Sequence, residues 1–189
     1  MPIDLTRSLL VILIPGAVAM SPWLFCLVLY SDGALGYAEN YKTLAQAMGF
    51  AVIAVAGLVC ESLGTWIEVR WDKERDLEFQ VDENWFAYLA LTISPEPVGY
   101  RYLSRLATML YFELSMMSAT VFSSIGLGTL LYLRFPERSC LSAAMTVAIP
   151  AVIIVWFTFD ARKTHQVLCK TRRELNQRLA KSSTKSSAC

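Results

Sequence analysis

Four apolar runs, near Ser8–Tyr30, Leu44–Ile67, Leu106–Leu133 and Leu141–Phe159, set the limits on what this chain can fold into. Each reaches the roughly 20 residues that a helix needs to cross the hydrocarbon of a bilayer. In lipid every backbone N–H and C=O must be satisfied inside the spanning segment, which selects the helix. The chain has 189 residues, so four such runs leave no room for a large separate soluble domain. The expected fold is therefore an all-α membrane protein with four transmembrane helices. A soluble bundle is disfavoured, because buried soluble helices are seldom so long or so apolar on every face.

Charge sets the orientation. Arg7 precedes the first run. Arg70, Lys73, Arg75, Arg101 and Arg105 fall in the second connection, and Arg162, Lys163, Lys170, Arg172, Arg173, Arg178, Lys181 and Lys185 in the tail. On the other side are only Lys42, Arg134 and Arg138. The positive-inside bias puts the N-terminus, the C-terminus and the middle connection in the cytoplasm. Reporter fusions at Lys73 or Cys189 are then expected to read cytoplasmic, and fusions at Asp32 or Glu137 periplasmic. A periplasmic C-terminus would reverse the layout. Arg7, the apolar run and Ala17-Val18-Ala19 are also what a signal peptide carries. The run continues through Trp23 to Tyr30, so an uncleaved first span is expected, bent at Pro15-Gly16 and Pro22.

This reading gives a four-helix transmembrane domain over residues 1–160, with an acidic cytoplasmic connection at 69–105, and a basic cytoplasmic tail at 161–189. Opposite fields on the connection and tail favour their docking on each other, or the tail meets anionic headgroups. Leu77, Phe79 and Val81 alternate with charged or polar residues as in a strand, although the second span could instead continue here as a helix. Trp85 to Leu91 form an aromatic patch suited to the interface. Ser94-Pro95-Glu96-Pro97 breaks the chain before a new helix. The tail from His165 to Ala180 reads as a helix with Leu168, Leu175 and Leu179 on one face. The polar residues Ser182 to Ser187 read as disordered.

Within the apolar runs, carboxylates mark candidate sites, because an intramembrane charge is costly. Glu61 and Glu113 are the two candidates. On the second run Gly57, Glu61, Gly64 and Glu68 recur at four, three and four residues, which places them on one helical stripe. Gly57 and Gly64 would admit a neighbouring backbone. Measured from Arg70 and Arg105, Glu61 and Glu113 come out about 13 and 12 Å deep. Facing each other they would share a proton, and facing a hydrated cavity they would bind or select a cation. Both are equally suited to simple interhelical glue. Glu68, Arg101, Arg105 and Asp160 are expected to form an ionic cluster at the cytoplasmic edge. Ser124 and Gly128, and Ala144 and Ala148, have small-residue spacing that favours tight helix packing.

Catalysis is not expected. His165 is the only histidine, and there is no Walker loop, no Ser-His-Asp set, and no Arg followed four to six residues later by His. The five cysteines, Cys26, Cys60, Cys140, Cys169 and Cys189, lack paired spacing and read as small fillers. Neither a metal site nor a cofactor is expected from these patterns. No inverted repeat points to a secondary transporter.

Glu61-Ser62-Leu63-Gly64-Thr65-Trp66-Ile67-Glu68, Glu96-Pro97-Val98-Gly99-Tyr100-Arg101-Tyr102-Leu103 and Phe112-Glu113-Leu114, with the four-run layout, resemble small bacterial membrane accessory proteins of anti-phage defence loci. These accompany type VI-B CRISPR systems and the adenosine-deaminase defence system RADAR. The resemblance covers mostly residues 57–116 and carries over no catalytic residue. It implies a multi-pass protein of the bacterial inner membrane that modulates or executes a defence response. Partners would be the lipid bilayer, further copies in a homo-oligomer and a cytosolic protein of the same locus, without direct nucleic acid contact. The residues alone equally fit a small ion- or proton-conducting protein, or a membrane anchor that recruits a cytosolic partner.

Overall fold

The computed structural model describes residues 9–31, 33–81, 83, 98–135 and 139–186. Arg7, the aromatic patch from Trp85 to Leu91 and the break at Ser94 to Pro97 lie outside them. A π-helical turn, Leu9–Leu13, runs directly into α1, Ile14–Tyr30. The short α2, Ala34–Asn40, leads to α3, Lys42–Phe79, followed by α4, Val98–Arg134, and α5, Ser139–Ser186. Among the described residues there is no strand. Four of these helices are long and apolar enough to cross a membrane.

The prolines of α1 are accommodated locally. Pro22 has no N–H to give to the Val18 carbonyl, and the Ser21 hydroxyl donates to that carbonyl instead, at 3.2 Å. The break in the ladder is thus covered from inside the helix.

Neighbouring contacts fix the directions of the helices. Trp23 and Cys26 of α1 meet Phe122 and Gly126 of α4, so these two run parallel. Gly64 of α3 lies against Leu114 of α4, and Thr164 and Thr158 of α5 reach Glu113 and Met117 of α4. Hence α3 and α5 run opposite to α1 and α4. The central helix is α4, which packs along α1, α3 and α5, while α3 and α5 meet each other little.

Packing is tightest where α1 crosses α3. A Cβ on Gly57 would overlap the Ile12 carbonyl, and one on Gly16 would overlap the Ile53 carbonyl. The two glycines therefore let the backbones touch, as expected of Gly57. In the sequence Gly16 stands only as part of a bend. Beside this crossing Ala19, Cys60 and Ala119 form a small buried cluster. Gly64 serves α4 in the same way, since its added Cβ would stand 3.0 Å from the Leu114 Cβ. Gly128 is in ordinary contact range of Thr146. Ala144 and Ala148 are exposed.

The helices outrun their apolar parts. At about 1.5 Å per residue the 38 residues of α3 measure about 57 Å and the 48 of α5 about 72 Å, against roughly 30 Å of hydrocarbon. The end of α3, the start of α4 and the second half of α5 gather on one side as a polar three-helix extension. The larger core lies there: Trp71, Leu103, Leu110, Leu114, Ala161 and Leu168. Residues 147–159 of α5, by contrast, include no buried residue, and Val152 and Trp156 are 70% and 64% exposed. An apolar surface outside and a packed core in the extension is the distribution a bilayer-embedded part with a water-facing part requires.

Two expectations for this region resolve. Leu77 to Val81 is not a strand: α3 stays helical to Phe79 and ends at Gln80, whose φ of 48° is left-handed. Leu77 points out, 99% exposed, while Phe79 and Val81 pack on Cys169. The tail helix is not separate either, because α5 continues unbroken from Ser139 through Ser186, including most of the stretch read as disordered.

Candidate functional site

Polar side chains concentrate where the apolar segments give way to the extension. Two linked groups occupy this level, one around Glu113 and one around His165.

Glu113 lies on α4, one residue before Leu114, and is 5% exposed. The Thr164 hydroxyl of α5 donates to Glu113 Oε1 at a long 3.5 Å. Asp160, one turn earlier on α5, is an acidic neighbour acting on Glu113. Glu61 is elsewhere. It sits three residues before Gly64, which touches Leu114, and so lies about 6 Å further into the apolar part than Glu113. The matched depth inferred from the sequence does not hold. The first turns of α4 belong to the extension, where Leu103 and Leu110 join its core, so α4 enters the apolar region nearer Glu113 than Arg105. Glu61 is half-buried beside Gly57, Cys60 and Gly64, and among the described residues its carboxylate has no hydrogen bond. The two carboxylates do not pair.

The second group joins α3 to α5. His165 of α5 is 1% exposed, and its Nε2 stands 2.7 Å from Asp72 Oδ1 of α3. That distance is typical of a charge-assisted hydrogen bond. Cys169, one turn further along α5, places Sγ 4.0 Å from the same nitrogen. His165 Nδ1 is buried without a hydrogen-bond partner among the described residues. Trp71 meets the imidazole edge-on at 6.0 Å, and the Arg162 guanidinium lies 5.6 Å from the Trp71 ring centre. Glu68, one turn before Asp72, is hydrogen-bonded to Tyr111 and lies within the fields of Asp72, His165 and Arg172.

The edge cluster is thus differently composed than the sequence implied. Glu68 and Asp160 belong to different groups, Glu68 with Asp72 and His165, Asp160 with Glu113. Arg105 is exposed and is not among the charges acting on Glu68. The Arg101 side chain lies outside the described residues. The connection and tail dock through the His165–Asp72 contact and through carbonyls as well: Arg75 donates to the Arg162 carbonyl at 3.2 Å and Arg173 to the Glu78 carbonyl at 3.3 Å.

Sequence reasoning missed His165, Cys169 and Asp72 as a set. The available signal was spacing, since His165 and Cys169 share one helical face and Glu68 and Asp72 share another. Compared with protein-family models, with curated proteins and with solved structures, the chain matches none.

Proposed function

We propose that this chain is a multi-pass protein of the bacterial inner membrane, with its extension and both termini in the cytoplasm, and that it acts as an accessory or effector of an anti-phage defence system. In this reading it works as a homo-oligomer that alters membrane permeability, and a cytosolic protein of the same locus engages the extension. One observation carries the mechanical part: α3, α4 and α5 each run without a break from apolar segment to packed extension. A contact made on the extension therefore tilts or shifts the same helices inside the bilayer, with Glu113, Thr164 and Asp160 at the junction. The defence context rests on the resemblance over residues 57–116.

A second reading, ion or proton conduction unconnected with defence, is favoured by Glu61. It is a half-buried carboxylate in the apolar part with no hydrogen bond among the described residues. An oligomer that brought several copies of Glu61 around one axis would place a ring of carboxylates suited to cations.

The test is phage plating on cells that carry the chain with its neighbouring genes. Removing this chain is expected to cut protection, and Glu61→Gln is expected to cut it while the protein still reaches the membrane. Full protection without the chain would exclude the defence role. Protection unchanged by Glu61→Gln would separate defence from conduction through this carboxylate.

A further inference from the structure

We infer that Asp72, His165 and Cys169 form a binding site for a zinc-class divalent ion that clamps α3 to α5 in the extension. The donor atoms of the three all lie within 4.8 Å of one another. A tetrahedral zinc holds sulfur at about 2.3 Å and nitrogen or oxygen at about 2.0–2.2 Å, so its ligand atoms stand roughly 3.3–3.6 Å apart. The observed 2.7 Å between His165 and Asp72 and 4.0 Å between Cys169 and His165 bracket that spacing. The third pair, Asp72 and Cys169, lies within 4.8 Å, so the donors close on an ion by side-chain movement of about an ångström.

The sequence pattern supports the same geometry. His165 and Cys169 are one turn apart on α5, so that helix offers two donors on one face, and α3 brings Asp72 against them. Glu68, one turn before Asp72, is engaged with Tyr111 outside the cluster, so the protein supplies three donors and leaves a fourth position open. Charge fits as well. The Asp72 carboxylate and a Cys169 thiolate carry two negative charges, which a dication balances beside a neutral imidazole. Sulfur and imidazole select zinc-class ions over magnesium or calcium, which prefer all-oxygen sites.

Placement gives the ion a task. The pair α3 and α5 has little mutual contact, with α4 holding each of them separately. An ion bound here would fix the register of the two helices directly. His165 and Cys169 are buried, and Phe79, Val81 and Trp71 cover the site. The alternative is a plain His–Asp pair with Cys169 as core filling. The inference stands on geometry and does not rest on the proposed defence role.

The experiment uses untagged full-length protein in detergent. Elemental analysis is expected to find one zinc per chain, and added Co2+ to give a thiolate-to-metal charge-transfer band with tetrahedral ligand-field intensity. Cys169→Ser and Asp72→Asn should each weaken zinc binding by at least about a hundredfold, beyond what loss of an outer partner alone produces. Cys26→Ser, in the apolar part, should leave it unchanged. Asp72→Asn keeps the side-chain shape, so it decides the matter if Cys169→Ser fails to fold by circular dichroism and size exclusion. Wild-type protein that takes up no cobalt with a sulfur band, or Asp72→Asn and Cys169→Ser variants that keep wild-type zinc affinity, would overturn the site.

Discussion

Gly57→Leu is expected to leave almost no folded protein, measured as monodisperse material on size exclusion after detergent extraction. Even the methyl of Gly57→Ala would overlap the Ile12 carbonyl, which is backbone and cannot rotate away. Overpacking of a tight core costs about 1–3 kcal/mol. A backbone clash at the α1–α3 crossing belongs at or above the top of that range, so Gly57→Ala should already lower the thermal midpoint clearly. Gly16→Ala should behave alike, because its Cβ would strike the Ile53 carbonyl from the other side. Gly49→Ala is the control. Nothing lies within contact distance of its added methyl, and alanine is about 1 kcal/mol better than glycine inside a helix. Its midpoint should hold or rise. Equal losses at Gly49 and Gly57 would mean that glycine flexibility, not close approach, matters here.

Trp71→Ala is expected to loosen the extension without removing the protein from the membrane fraction. Trp71 is 8% exposed in the core with Leu110, Leu114 and Leu168, between the His165 ring and the Arg162 guanidinium. Truncating a buried Trp costs about 3–5 kcal/mol through lost burial and the cavity left behind. Limited proteolysis should therefore cut residues 68–80 and 160–177 much faster than in wild type, while the apolar segments stay protected by lipid. Joint loss of extension and apolar segments in this variant would contradict a core placed mainly in the extension.

The long apolar runs made the four helices legible, because length and hydrophobicity alone require them. The interior of the bundle was partly legible: Gly57 and Gly64 were identifiable as close-approach positions from their spacing, but Gly16 was not, since a glycine after proline reads first as a bend. The extension was harder. Its helices carry charges on most faces, so periodicity was weak, and Leu77, Phe79 and Val81 imitated a strand. Leu77 and Phe79 instead form the last turn of α3, and its end at Gln80 brings Phe79 and Val81 against Cys169, a contact nearly ninety residues away in the chain. The same distance hid the His165–Asp72 pair. Depth was misjudged for Glu113 because arginine positions locate a membrane edge only when the helix ends there, and α4 begins well outside the apolar part.

The proposal that this chain acts through the bilayer is tested most directly by ion release from liposomes. Potassium-loaded vesicles carrying the purified full-length chain should leak faster than protein-free vesicles of the same lipid. Glu61→Gln should return the rate toward the protein-free value, since the amide keeps the shape of the side chain but not its charge. Vesicles that stay as tight with the wild-type chain as without it would contradict the permeability account.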